Sequence, residues 1–298
     1  MRKFSISDIE AISGIKAHTI RIWEQRYEFI VSKRTDTNIR YYDEKDLCLF
    51  LNISSLSEHG FKISEIARML PEEMMEAVSR ISPDHHNPCM HVNALADATL
   101  QFNEAKFLNT ICLCTKKKGL ENAMVDTIFP FMRKMGLMWQ TGTITPAHEH
   151  FASDLIKRKL VCSINAITEP CHPEAKKFML FLPENETNEI GLLFAQFLIC
   201  SQGHKVLYLG QNIPYESLET ACNSFEPDYC VTTLTSVLIE NEVNNVIDKI
   251  ASHLPNRKLI VSGPLILPDT YYPSSNIIIL KCLTEISEFF KEFQFSHA

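Results

Sequence analysis

Five short apolar runs, separated by helical stretches over about residues 176–295, constrain the fold of this chain more than any other feature. The runs are KFMLFL, KVLYL, YCVTTL, KLIVS and NIIIL. Apolar strands that alternate with helices indicate a parallel sheet covered on both faces, wound in the flavodoxin-like (Rossmann-like) way. We therefore predict a five-stranded α/β domain over residues 173–298.

Ligands of such sheets bind at the carboxyl ends of the strands. This candidate edge comprises residues 184–190, 210–214, 235–238, 263–267 and 281–284. Its first loop, ENETNEI, allows two interpretations. The loop is a ligand site, or it is only a helix start in which Glu184, Glu186 and Glu189 complement the helix dipole and Asn185 or Asn188 caps the helix.

Four stretches with apolar residues at helical spacing precede the sheet and predict a four-helix bundle over residues 92–172. The last stretch begins with Thr145 as its cap and Pro146 at the first helical position. From the pattern alone, Trp139 is a core aromatic and Glu149 complements the helix dipole.

The first segment, residues 1–72, predicts a winged helix-turn-helix. SISDIEAISGI forms a short helix capped by Ser5, and KAHTIRIWEQRYEF forms a second helix with a buried stripe of Ile20, Trp23 and Tyr27. IVSKRTDTNIRYYDEKDL predicts a small β-hairpin wing. Residues 73–91, with prolines along their length, predict a linker that separates the head from the bundle.

Charge is distributed unevenly along the chain. The net charge is −7, yet residues 1–45 hold nine Lys and Arg against seven Asp and Glu, so this segment carries +2. A basic head on an acidic body favours a regulator whose head alone touches DNA. No apolar run has the length of a membrane span, the first residues lack the apolar core of a signal peptide, and the ten cysteines form no C-x-x-C pair. We expect a cytoplasmic protein with reduced thiols that is not an enzyme and holds no metal through its own side chains.

The first segment resembles the MerR-type winged helix-turn-helix along its whole length, and its R-x-W-E-Q-R-Y box is close to that of the family's B12-associated branch. The resemblance implies contacts with bases or phosphates from the recognition helix and the wing. The implied DNA-binding residues are Lys16, His18, Thr19, Arg21, Trp23, Arg34, Arg40 and Tyr41. The alternative is that Trp23 and Tyr27 are wholly core and that Arg26 pairs with Glu10 or Glu24.

The bundle and sheet resemble the cobalamin-binding module of B12-dependent, light-responsive repressors. The W-x9-E-H pattern runs from Trp139 to Glu149-His150, and the D/E-x-H-x-x-G, S-x-L and G-G patterns occur in altered form. The implied cofactor-binding residues are Trp139, Gln140, Glu149, His150, Glu186, Asn188, Gly191, Thr233, Thr235, Ser262 and Gly263.

Two positions depart from this family pattern. Asn188 stands where the family has the histidine that binds cobalt from below, and Gln140 stands where light-responsive members have the histidine that binds the upper face after photolysis. The open alternatives are cobalamin held without a histidine ligand, another flat or nucleotide-like effector, and no small molecule at all.

These resemblances predict a repressor that binds double-stranded promoter DNA through its MerR-type head. The degenerate B12-binding module is then a sensor or the part that assembles the homodimer or tetramer. One alternative is a ligand-independent repressor controlled by a partner protein bound to its head. A corrinoid carrier for methyl transfer is a further alternative, against which the DNA-binding head and the missing histidine both count.

Overall fold

The computed structural model describes residues 4–27, 31–34, 40–58, 60–70, 73–74, 77, 88–140, 142–168, 171–235, 243–254, 256–266, 276–281 and 283–293. The chain divides into two compact units, Met1–Ala152 and Ser153–Ala298. In the part of the chain so described, no helix is long and apolar enough to cross a membrane. The domain boundaries predicted from the sequence stay predictions.

The head of the first unit contains α1 (Ile6–Ser13), α2 (Ala17–Arg26), β1 (Lys33–Arg34), β2 (Arg40–Tyr41), α3 (Glu44–Glu58) and α4 (Ile63–Ile66). Ser5 caps α1 as predicted, because its side chain accepts from the Asp8 N–H at 3.2 Å while the Asp8 carboxylate accepts from the Ser5 N–H at 2.8 Å. Gly14 ends α1 with a left-handed φ of 77°. The strands β1 and β2 are antiparallel and form the predicted wing.

The helical part consists of α5 (Pro88–Leu100), α6 (Glu104–Ala123), a π-helical turn (Met124–Ile128), α7 (Phe129–Gln140) and α8 (Pro146–Asn165). Phe107 is fully buried, with ring centroids 5.6 Å from Phe131 and 6.0 Å from Phe151. The sequence predicts one continuous helix over 121–140, whereas the π-helical turn interrupts it. Because proline lacks an N–H, Pro130 cannot donate a hydrogen bond to the carbonyl one turn earlier. The helix geometry changes locally as a result.

Helix α5 begins at Pro88, before the start of the predicted bundle at residue 92. A proline suits the first helical position because its missing N–H has no partner there in any helix. The remainder of the predicted linker, apart from residues 73–74 and 77, lies outside the described residues.

The second unit holds β3 (Lys177–Pro183), α9 (Ile190–Ser201), β4 (Lys205–Ile213), α10 (Tyr215–Phe225), β5 (Tyr229–Thr233), α11 (Val243–Ser252), β6 (Lys258–Ser262), β7 (Ile277–Leu280) and α12 (Leu283–Lys291). All neighbouring strands are parallel, in the order β4-β3-β5-β6-β7, which confirms the predicted five-stranded flavodoxin-like sheet. Met179 and Phe181 pack on the layer that contains α10 and α11, while Phe178 faces the other layer and contacts Phe290. Strand β3, an interior strand of the sheet, is therefore buried on both faces, as its apolar sequence requires.

Candidate DNA interface and ligand site

The start of the recognition helix α2 is fixed by a carboxylate from α1. Glu10 Oε2 accepts from the Ala17 N–H at 3.0 Å, and Glu10 Oε1 lies 3.1 Å from Lys16 Nζ. These contacts, first the hydrogen bond from Ala17 and then that from Lys16, lower the pKa of Glu10. Lys16, a predicted DNA contact, therefore carries its own counter-charge in the head.

The exposure of α2 alternates with the helical period. Ile20 is fully buried, Thr19 and Trp23 are half-buried, and the exposed residues are His18, Arg21, Ile22, Gln25 and Arg26. Trp23 is thus not wholly core. The guanidinium carbon of Arg26 lies 6.0 Å from the Tyr27 ring centroid. The two carboxylates considered as its partners pair with other cations, Glu10 with Lys16 and Glu24 with Arg40.

Glu24 connects the recognition helix to the wing. Its Oε1 accepts from the Tyr42 hydroxyl at 2.9 Å and from the Ser32 N–H at 3.1 Å, and its Oε2 lies 3.4 Å from the Arg40 guanidinium. Burial, followed by the neighbouring Glu24 carboxylate, raises the pKa of Tyr42. No local sequence pattern indicates this role of Glu24, because its partners lie up to 18 residues away and meet it only in the fold.

The wing brings two predicted phosphate contacts together. Arg34 and Arg40 are exposed and stand directly opposite each other in the β1–β2 register, while Tyr41 is half-buried. Directly opposed residues of a hairpin lie on the same face, so both guanidinium groups are placed on one surface, as contacts with a phosphate backbone require.

The loop after β3 is organised around a buried carboxylate. Glu186 is fully buried, and its side chain accepts from the Thr235 N–H at 2.6 Å, from the Thr235 hydroxyl at 2.8 Å and from the Asn188 N–H at 3.0 Å. The Glu186 carbonyl accepts from the Asn212 N–H at 3.1 Å. Glu186 therefore joins the loops that follow β3 and β5 to the last residues of β4 at the carboxyl edge of the sheet.

Asn188 occupies the position of the cobalt-binding histidine in the resemblance. It is exposed, and its amide oxygen accepts from the Ile190 N–H at 3.4 Å at the start of α9. An amide is a weak ligand for cobalt compared with an imidazole backed by a carboxylate, and here the carboxylate of Glu186 is committed to Thr235. These residues do not fit a bond between the protein and cobalt on this side.

A polar group is left unpaired beside the same loop. Thr233 Oγ1 is buried without a hydrogen-bond partner among the described residues, and a Cβ added to Gly191 would lie 3.4 Å from Thr233 Cγ2. Because buried hydroxyls are almost always paired, this atom fits a polar group supplied by a ligand at this edge of the sheet. Helix α9 and strand β5 approach closely here because residue 191 is glycine.

The loops after β5 and β6 meet backbone to backbone. Gly263 has a φ of +126°, and a Cβ there would stand 2.3 Å from the Leu234 carbonyl oxygen and 2.8 Å from the Leu234 nitrogen. The Leu234 N–H donates to the carbonyl of Ser262, whose side chain is buried, at 2.8 Å. The close backbone contact therefore explains the glycine at position 263 without any ligand.

The remaining predicted cofactor residues lie in and next to α7 and α8. Trp139 is 49% exposed, so the interpretation of this residue as a core aromatic is wrong. His148 occupies the third position of α8, and its Nδ1 lies 3.1 Å from the Thr145 nitrogen, while Glu149 and the exposed His150 form a 3.6 Å ion pair when the imidazole is protonated. The side chain of Gln140 lies outside the described residues.

Comparisons with known proteins match both parts of the chain. Residues 4–73 match the family of MerR HTH regulatory proteins, and residues 92–161 match the B12 binding domain. The chain is 25% identical over 260 residues to the HTH-type transcriptional repressor CarH of Myxococcus xanthus, with coverage of 85% of this chain and 86% of CarH. It is 24% identical over 247 residues to the HTH-type transcriptional repressor CarA of the same organism, with coverage of 82% and 80%.

The fold is similar to that of the monomethylamine corrinoid protein of Methanosarcina barkeri. The TM-score is 0.53 at 13% sequence identity, and the match covers 66% of this chain and 95% of that protein. The predicted combination of a MerR-type head with a B12-binding domain is thus confirmed, whereas the roles of the individual site residues stay predictions.

Proposed function

We propose that this chain, a DNA-binding transcriptional regulator that joins a MerR-type head to a B12-binding domain, is a repressor that occupies double-stranded promoter DNA. The observation that carries this proposal is the joint presentation of an exposed α2 surface and a pair of wing arginines, held to each other through Glu24. Helix-turn-helix proteins place such a helix in the major groove, and phosphate contacts from the wing fix its register.

A dimer or tetramer is the expected active form. The head is small, and although residues 1–45 carry +2, residues 1–72 as a whole hold eleven Lys and Arg against eleven Asp and Glu and have no net charge. A second head bound to the same operator acts as an effectively intramolecular contact. Assembly would run through residues 92–298, which contain both the helices and the sheet. Sedimentation at micromolar concentration tests this expectation, and a monomer that still binds its operator tightly would contradict it.

Salt-dependent DNA binding tests the assignment of the interface. Arg21→Ala and Arg40→Ala should weaken binding to every duplex and reduce the slope of log affinity against log salt by about one for each lost phosphate contact. His18→Ala should instead reduce discrimination between operator and unrelated DNA. The matched control is Arg158→Ala, which removes an exposed arginine paired with Asp154 on α8 and should change neither quantity.

We further propose that the B12-binding domain holds cobalamin without a histidine bond to cobalt. Asn188 and the committed carboxylate of Glu186 support this, and the unpaired Thr233 hydroxyl supports the presence of a ligand. Because no imidazole occupies residue 140 either, illumination should leave DNA affinity unchanged. The visible spectrum of the protein after incubation with several cobalamins and gel filtration tests binding.

A ligand-independent repressor is the second candidate. It is favoured by the hydrogen bonds from Thr235, in the loop after β5, to Glu186, in the loop after β3, which hold the two loops together without a ligand. Absence of any corrinoid spectrum, together with unchanged operator binding, would favour this candidate. Release of DNA on exposure of the adenosylcobalamin-bound protein to green light would contradict both.

A further inference from the structure

We propose that Ile22 is a specificity-determining residue that contacts the methyl group of a thymine in the major groove. The inference rests on the proposed function, since it concerns how the α2 surface selects among DNA sequences. Ile22 is a large aliphatic residue on the recognition helix, and 52% of it is exposed.

The helical geometry places Ile22 on the surface directed away from the protein. At about 100° per residue, His18, Ile22 and Gln25 fall within about 60° of one another and lie opposite the fully buried Ile20. All three are exposed. This surface, His18, Ile22 and Gln25, is hereafter the outer face of α2.

Two exposed arginines flank the outer face. Arg21 projects about 80° to one side, and Arg26 about 60° to the other side, of the line opposite Ile20 on the same helical wheel. A partner that fits this surface is negatively charged on two sides and offers a small apolar group between them. The major groove has two phosphate backbones at its edges, and the thymine methyl is the apolar group on its floor.

The core of the head gives no other reason for an aliphatic residue at this position. Ile20 supplies the buried face of α2. Helix propensity does not explain Ile22 either, because isoleucine has no higher propensity than many polar residues. A protein partner is a poorer fit, because the neighbours of Ile22 on the outer face are polar and leave no contiguous apolar patch.

Removal of single methyl groups from the DNA tests this contact. An operator is selected from random-sequence duplexes with the full-length wild-type protein, and each thymine is then replaced in turn by deoxyuridine, which lacks only the methyl group. At one thymine per half-site the wild type should lose about fourfold in affinity, the amount expected from one buried methyl group. Ile22→Ala should bind the unmodified operator more weakly and should show no further loss at that position.

Three variants make the test specific. Ile22→Val keeps a branched methyl group and should retain part of the sensitivity to deoxyuridine. Leu113→Ala removes another exposed aliphatic side chain, outside the head, and should behave as wild type. Thermal unfolding of Ile22→Ala should match that of wild type, since the side chain is exposed.

Two outcomes would overturn the inference while leaving the proposed function intact. In the first, wild type binds its operator but is insensitive to the loss of any thymine methyl. In the second, Ile22→Ala is as sensitive as wild type at the same thymine, so that another residue contacts it. Failure of the wild type to select any duplex would overturn the proposed function, and this inference with it.

Discussion

The close contact between Gly263 and Leu234 gives a sharp prediction of stability. In Gly263→Ala the new Cβ would stand 2.3 Å from the Leu234 carbonyl oxygen, so one of the two loop backbones must move. The φ of +126° adds strain, because side-chain-bearing residues rarely adopt it. Backbone strain of about 1–3 kcal/mol and crowding of similar size together predict a loss of about 3 kcal/mol or more in the local free energy of unfolding.

Native-state amide hydrogen exchange measures this loss where it occurs. The Leu234 N–H donates to the Ser262 carbonyl at 2.8 Å, so the exchange of peptides covering β5 and β6 reports on the contact. A loss of about 3 kcal/mol corresponds to exchange more than a hundredfold faster.

Two other glycines supply controls for Gly263→Ala. Gly191→Ala should change exchange only about fivefold or less, because its Cβ meets Thr233 Cγ2 at 3.4 Å, an ordinary contact. Gly136→Ala lies within α7 with no atom inside 4 Å and should stabilise that helix by about 0.5–1 kcal/mol. Exchange in Gly263→Ala within a few-fold of wild type would show that the loops accommodate a side chain and that the glycine is kept for another reason.

Three further predictions concern the head, the sheet and the ligand site. Glu24→Ala should leave the Ser32 N–H and the Tyr42 hydroxyl without an acceptor, which lowers the stability of the head by about 1–3 kcal/mol and speeds hydrogen exchange in α2 and the wing. Glu24→Gln keeps an acceptor oxygen and should lose less stability. Equal losses in the two variants would refute the hydrogen-bonding role. Burial lowers the pKa of His204 below its ordinary 6.5, so below that pH the unfolded chain binds a proton that the folded chain does not. The stability of the second unit should therefore fall as pH drops below about 6.5. His204→Asn should show a smaller slope of stability against pH. The double variant Asn188→His with Gln140→His should gain cobalamin affinity and a shifted visible spectrum if only the ligands are missing, and neither gain should appear if side chains fill the pocket.

The sheet and the head could be predicted because their signals are local. Alternation of apolar strands with helices fixes a parallel sheet, and Ser5 with Gly14 marks both ends of α1. Strand β4 runs on to Ile213, beyond the apolar KVLYL, because pairing with β3 continues past a bulge to Pro183. Such continuation depends on the neighbouring strand and leaves no apolar signal in the sequence.

The contacts within the candidate site could not be predicted from the sequence. Glu186 and Thr235 are 49 residues apart, so their hydrogen bonds depend on two loops meeting at one edge of the sheet. Trp139 follows the apolar pattern of its helix and was interpreted as core, yet half of it is exposed. Periodicity gives the side of a helix on which a residue lies, and only packing decides whether that side is covered.

Lys16 and Arg40, two cations predicted to contact DNA, are already accompanied by carboxylates, those of Glu10 and Glu24. For each of them, binding to a phosphate would exchange one anion for another, so the gain in affinity would be smaller than for a cation surrounded by water. This loss would apply to every duplex, because phosphate contacts carry no sequence information. Contacts with base edges would then supply a larger share of the affinity for an operator, and the competing sequence of a genome would hold fewer molecules away from it.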